Sequence, residues 1–282
     1  FLVNPDGEGE YDLLIVDTST DDNASLKLYQ LTVSAVYDYD QRITSVNSQL
    51  APYTPLEQAL AKGTYKVNVE NRGTKQLTNV KATINASNGH GTFTTATQPT
   101  LAAGDTATLS GEGALKNLKV GDTLSVKVVA SASEKDGYDS DNSWALGGDQ
   151  GINVTDTVYA FENVSEFVNG TGMSGAPISF GQIYHLATAD TLTSVTFGLA
   201  QDNYYTTSQI GVAVYEVASD GVTLSRQLFS TQLERKAEGG LRTVTFPARL
   251  LQPGNYFIEI QQLGTNNIGM SYQQASEAVC YQ

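Results

Sequence analysis

Short runs of β-branched and aromatic residues recur along nearly the whole chain, each alternating with polar residues and cut off by a cluster of Gly, Asn, Asp or Pro. A period of two sends successive side chains to opposite faces of a strand, so each run has one face to bury and one to hydrate. Many such runs at a spacing of roughly ten residues specify an all-β sandwich rather than a helical or α/β fold. Residues 64–70 (TYKVNVE) show the alternation cleanly, with Tyr65, Val67 and Val69 expected on one core face. Residues 77–85 (LTNVKATIN), 106–109 and 124–130 (LSVKVVA) continue an immunoglobulin-type series.

The polar, Gly-rich stretch 136–150 (DGYDSDNSWALGGDQ) interrupts the series and is read as a domain boundary or hinge. A second series follows, at 156–161, 181–186, 192–199, 210–217, 226–232, 241–246, 254–261 and 267–272. Asp220-Gly221 is a hairpin signal, and eight strands with long connections suggest a jelly roll. The expected fold is therefore all-β: tandem β-sandwiches, immunoglobulin-like over 51–150 and jelly-roll-like over 151–282. Residues 1–50 carry strand-like runs at 11–16 and 28–36, read as the end of a preceding domain or the start of the first sandwich. Residues 54–61 suit one helical turn, although Pro52 and Pro55 favour extended chain.

Charge and composition exclude more than they specify. Sixteen Lys+Arg against 30 Asp+Glu give a net charge of −14 over 282 residues, with 11 basic and 19 acidic residues before position 151 and 5 and 11 after it. Neither half has the basic footprint of a nucleic-acid binder, and no apolar run suits membrane insertion. One cysteine and two histidines leave little material for disulfides, Cys-cluster zinc sites or triads. His90, in Asn88-Gly89-His90-Gly91, reads as a turn residue, and His185 as a strand residue. Gly172-Met173-Ser174-Gly175-Ala176 departs from a nucleophile elbow at its last position. Asp38 and Asp40 read most simply as the solvent face of a strand or its turn. No catalytic residue is assigned.

Calcium is the one cofactor considered. Asp136, Asp139, Asp141 and Asn142 supply hard oxygen donors in a Gly-containing loop, without the spacing of an EF-hand. Asn203, Tyr204 and Tyr205 form a loop of amide and aromatic groups suited to ligand recognition.

Two stretches resemble known modules of surface proteins. Tyr53-Thr54-Pro55-Leu56-Glu57-Gln58, then residues 65–73, Leu77-Thr78-Asn79-Val80-Lys81 and the turn Leu101-Ala102-Ala103-Gly104-Asp105-Thr106 look like immunoglobulin-like domains of the bacterial cell-adhesion-related class. The Asn71-x-Gly73 turn fits that family's need for a residue at positive φ. Residues 177–184, 190–198, 251–262 and 266–272 resemble β-sandwich modules of proteins exported by the type IX system, of the gingipain-adhesin and choice-of-anchor kind. The resemblance implies a secreted or cell-surface, non-catalytic segment for adhesion, spacing or ligand binding, with a glycan or protein as ligand. The alternative is a set of accessory C-terminal modules of a secreted protease or other hydrolase. The start at Phe1, without a signal-peptide pattern, is read as a mature product or part of a longer protein. The resemblance also implies O-glycosylation at Asp-Thr-aliphatic tripeptides, which places Thr106, Thr123, Thr157 and Thr191 as acceptors.

Overall fold

The computed structural model describes residues 36–148, 151–161, 169–200, 208–236 and 239–272. The first group of elements is β1 (Gln41–Asn47), β2 (Tyr53–Pro55), the one-turn helix α1 (Leu56–Leu60), β3 (Gly63–Asn71), β4 (Leu77–Ala86), β5 (Gly91–Thr94), β6 (Gln98–Leu101), β7 (Thr106–Gly113), β8 (Thr123–Leu124), β9 (Val126–Ser131), β10 (Ser143–Leu146) and β11 (Ile152–Thr155). The second is β12 (Asn169–Thr171), β13 (Ile178–Leu186), β14 (Asp190–Leu199), β15 (Gln209–Val217), β16 (Leu224–Glu234), β17 (Gly240–Leu251), β18 (Gly254–Gln262) and β19 (Met270–Tyr272).

In the first group, a β1-β3-β7 sheet faces a β10-β9-β4-β5 sheet to which β6 adds at β4, and β2-β11-β8 form a small third sheet. Alternation builds the core between them. Tyr65, Val67 and Val69 of β3 meet Val80, Ala82 and Ile84 of β4 and Val126 and Val128 of β9, all nearly or fully excluded from water. Strict alternation fails once in β4, where Leu77 and Val80 both point inward although three residues apart. Asn79 between them sits at φ 52°, and this kink restores the inward phase.

In the second group, sheets β12-β19-β14-β17 and β13-β18-β15-β16 pack as two four-stranded layers. Ile210, Val212 and Val214 of β15, Tyr256 and Ile260 of β18, and Val195, Phe197 and Leu199 of β14 fill the space between them. The chain is thus all-β, with tandem sandwiches. The Asp220-Gly221 signal makes the turn from β15 to β16, with Gly221 at φ 77° and the Asp220 carboxylate accepting from the backbone of Val222 and Thr223.

Three expectations need correcting. The 136–150 stretch is not a bare hinge: Ser143–Leu146 pairs antiparallel with β9, Leu146 is buried and Trp144 packs on the first core. Four residues of strand flanked by Asp, Ser and Gly are too short to show a period. The first core also continues to Ile152 and Val154, because β11 pairs in parallel with β2. Residues 156–161 form no extended strand beyond a single bridge from Ala160 to Tyr53. Lastly, Gly73 is not a positive-φ residue. It is small because a Cβ there would lie 2.6 Å from the Asp38 carbonyl, and the turn itself is made by buried Asn71. The Asn71 amide donates to the carbonyls of Lys75 and Leu101 and accepts from Gly73 N–H.

Burial has a titratable consequence. Tyr65 in the first core and Tyr159 between the sandwiches have phenols pushed well above their ordinary value, chiefly by exclusion from water. In the unfolded chain both ionise near pH 10. A raised pKa in the folded state contributes stability that is full below that point and is lost as pH rises above it. Each such tyrosine steepens the loss by up to about 1.4 kcal/mol per pH unit. Urea unfolding between pH 8 and 11 is expected to show constant stability followed by a fall from about pH 10. Tyr65→Phe is expected to make that fall shallower; an unchanged slope would assign it to other groups.

Candidate functional site

Three polar constellations stand out from the scaffold. The first lies at one edge of the first sandwich, where the chain bends at Asp38 and Tyr39 before β1. The bend separates two acids that a straight strand would place together. Asp38 stays in solvent, where it takes Lys75 Nζ at 2.7 Å and the Thr74 hydroxyl at 3.2 Å. Both hydrogen bonds hold its carboxyl below the ordinary range. Asp40, two residues on, is only 4% exposed. Its backbone carbonyl accepts the N–H groups of Arg72 and Gly73, at 2.7 and 3.2 Å. Burial and the carboxylates of Asp141 and Asp136 raise its carboxyl pKa, against the opposing pull of Arg72 and Arg42.

The 136–142 turn supplies the other wall. Asp136 is spent on structure, accepting from Gln41 N–H at 2.9 Å and Tyr138 N–H at 2.6 Å. Asp139 is exposed, and its carbonyl accepts Asn142 N–H at 3.4 Å in a single 3₁₀ turn. Asp141 takes Arg72 Nη1 at 3.4 Å through Oδ2. Asn142 is buried, with its backbone carbonyl accepting Ala130 N–H at 2.9 Å. The structure therefore brings the carboxylates of Asp136 and Asp141 toward that of Asp40, buries Asn142 and leaves Asp139 in solvent. Among the described residues, no three His, Cys, Asp or Glu side chains converge closely enough to hold a metal by themselves.

The second constellation joins the two sandwiches. Gln58, on the turn of helix α1, is fully buried. Its Oε1 accepts Ala187 N–H at 3.0 Å and Thr188 N–H at 3.3 Å, and its Nε2 donates to Thr188 O at 3.1 Å and Asp190 Oδ2 at 3.2 Å. One side-chain amide thus serves as a peptide unit for the turn between β13 and β14. Beside it the Tyr159 hydroxyl reaches the carbonyl of Gln49 in the first sandwich and that of His185 in the second. The Tyr159 and Phe161 rings close on Tyr184, both with centroids at 5.2 Å in edge-on geometry.

A third cluster lies on the outer face of the β13-β18-β15-β16 sheet. The Gln261 amide donates to Glu259 at 2.8 Å, and Glu259 also hydrogen-bonds Tyr215, whose phenol pKa is raised by burial and by that carboxylate. A Cβ on Gly181 would collide with the Phe257 ring, so the glycine lets the far end of that ring pass over the neighbouring strand.

The remaining candidates are placed as follows. Asn203, Tyr204 and Tyr205 lie outside the described residues. Thr106, Thr123, Thr157 and Thr191 are all exposed, and Thr106 and Thr123 open β7 and β8. His90 Nδ1 is bonded to the Lys116 carbonyl at 3.0 Å and His185 Nδ1 to Asn255 Oδ1 at 2.6 Å, which occupies a nitrogen of each ring in scaffold contacts. The Gly172–Ala176 loop is clamped by buried Gln262, whose Nε2 donates to the carbonyls of Met173 and Ala176. Ser174 points no nucleophile at a base there. Sequence reading missed Gln58 and Tyr159, since a lone Gln in a helical turn and a Tyr in a presumed strand carry no pattern. Asp40 had a signal, the bend-prone Asp-Tyr-Asp run, but its burial depends on a segment a hundred residues away.

No family model matches the chain, and no curated protein matches it. Among solved structures, it is similar to the CARDB domain of a Pyrococcus furiosus protein, determined in complex with di-metal ions, at 12% identity and a TM-score of 0.30. That likeness covers 46% of this chain and 100% of the domain. It is also similar to a two-domain protein of unknown function from Bacteroides fragilis, at 10% identity and a TM-score of 0.25, over 83% of this chain and 92% of the other. No helix among the described residues is long and apolar enough to cross a membrane.

Proposed function

We propose that this chain is a non-catalytic β-sandwich segment of a larger secreted or cell-surface protein, serving adhesion, spacing or ligand binding. The observation that carries the reading is the buried joint at Gln58 and Tyr159, which ties the sandwiches at a set distance. A fixed joint between two rigid cores is what a spacer needs and what an independent enzyme domain does not. The surface offered to a ligand is the outer face of the β13-β18-β15-β16 sheet, where the half-buried Tyr215, Phe257 and Gln261 present a phenol, a ring and an amide, with the Gln261 amide held by buried Glu259. Asn203, Tyr204 and Tyr205, which lie outside the described residues, are proposed from the sequence as further ligand contacts. The motif resemblance supports export by the type IX route, and the exposure of Thr106, Thr123, Thr157 and Thr191 suits O-glycosylation there.

Glycan arrays and intact-cell binding with the purified chain, run beside hydrolysis assays on the same glycans and on peptides, test this reading. Retention without turnover is expected, with Gln261→Ala and Phe257→Ala reducing retention about tenfold or more. Turnover abolished by one carboxylate substitution would overturn it.

A further inference from the structure

Around the start of β1, four side-chain oxygens are shut away from water without a hydrogen-bond partner, Asp40 Oδ1, Gln41 Oε1, Asp141 Oδ1 and Asn142 Oδ1, together with one donor, Arg42 Nε. Asp40 and Asn142 are 4% and 6% exposed. Buried oxygens left unpaired are costly, and here they come from the start of β1 and from the 136–142 turn that packs against it, the two walls of a notch. Arg72 shows that the walls meet, because its backbone N–H bonds the Asp40 carbonyl while its guanidinium reaches Asp141.

The charge around the notch is also unbalanced. The carboxylates of Asp40, Asp136, Asp141 and Glu70 face the guanidiniums of Arg42 and Arg72, which leaves two negative charges over. Arg42 offsets part of the Asp40 charge, but it makes no hydrogen bond to it: its Nη2 is committed to Glu70 at 2.5 Å and its Nε is left without a partner. Arg72 holds Asp141 by one long contact at 3.4 Å, on the oxygen that is not the orphan. A group that accepts nothing, carries about two positive charges and prefers oxygen would satisfy the orphan oxygens of Asp40, Asp141 and Asn142 at once.

We propose that this notch is a divalent-cation site of the calcium type, with Asp40, Asp141 and Asn142 as its side-chain donors. Asp136 does not ligate; it positions, by pinning the backbone of Gln41 to that of Tyr138 so that the β1 wall and the turn stay in register. Two carboxylates and one amide oxygen, completed by water, make a site of modest charge. Calcium takes such mixed, irregular sets of six to eight oxygens, whereas magnesium demands a near-ideal octahedron. The ion would fasten the 136–142 turn and β10 to the β1 edge of the opposite sheet.

The test is isothermal titration of the full 282-residue chain, stripped with EDTA, with CaCl2 and in parallel with MgCl2. Calcium is expected to bind one per chain with a Kd of about 0.1–1 mM, magnesium at least tenfold more weakly, and the thermal midpoint to rise with calcium. Asp40→Asn and Asp141→Asn are each expected to weaken calcium at least tenfold while keeping the midpoint measured in EDTA. Asp40→Asn relieves like-charge crowding and is expected to be no less stable than the parent without metal. Should it fail to fold, Asp141→Asn, nearer the surface, carries the same measurement. Absence of calcium binding up to about 10 mM, or equal binding by parent and Asp141→Asn, would overturn the assignment.

Discussion

Replacing Arg235 with alanine is expected to destabilise the second sandwich by about 3–5 kcal/mol, the largest effect of any single polar substitution in the chain. Arg235 follows β16 and is only 2% exposed. Its Nε donates to Ile268 O at 2.8 Å, its Nη1 to the Lys236 carbonyl and its Nη2 to the Ala200 carbonyl. Ala200 follows β14 and Ile268 precedes β19, two strands of the sheet opposite β16. The guanidinium therefore stitches the two layers together where their hydrogen-bond ladders stop. Alanine would leave these buried carbonyls short of a donor and open a cavity the length of the side chain. Lysine has one charged point and no fork, so Arg235→Lys is expected to recover only part of the loss. Trp144, the single tryptophan, lies on the first core and reports that unit alone. Circular dichroism should shift to lower denaturant in Arg235→Ala while the Trp144 fluorescence transition stays nearer its place. A loss below about 1 kcal/mol would show that water replaces the guanidinium without strain.

What the sequence made legible follows from range. Alternation is local, so β3, β4, β9 and β15 could be read from a few residues, and the inward face expected of β3 matches the observed core at Tyr65, Val67 and Val69. Turn chemistry is local too, as at Asp220-Gly221. The parts that resisted reading are held by distant partners. Ser143–Leu146 is a strand only because Val126–Val129 offers it an edge. Asp40 is buried only because the 136–142 turn folds over it, and Gly73 is small because of the Asp38 carbonyl rather than its own φ. Of the donors proposed for the cation, Asp141 and Asn142 are singled out by the sequence, along with Asp136 and Asp139, whereas Asp40 reads there as a solvent-facing residue. Arg235 carried no signal, since a buried arginine and a surface one look alike in sequence.

Gln58→Ala is expected to release the two sandwiches from one another while leaving each core folded. Gln58 belongs to a single helical turn that owes its position to Pro55 and β2, not to its own helix strength. Alanine keeps that turn but strands the N–H groups of Ala187 and Thr188 and the Thr188 carbonyl, which close against a buried surface. Three orphaned backbone groups at about 1 kcal/mol or more each put the cost to the joint near 2–4 kcal/mol, comparable with a whole domain–domain contact of modest size. Tyr159 would remain as a single hydrogen-bonded post. The expected result is two separate unfolding transitions where the parent shows stronger coupling, together with a larger radius of gyration by small-angle scattering. Gln58→Glu discriminates the mechanism: the carboxylate still accepts from Ala187 and Thr188 but cannot donate, and it faces the Asp190 carboxylate. It should loosen the joint at neutral pH and tighten it again as the pH falls toward the carboxylate range, where a protonated acid donates as the amide did. An unchanged radius of gyration in both variants would mean that the aromatic contacts of Tyr159, Phe161 and Tyr184 set the spacing instead, and the amide merely fills the gap they leave.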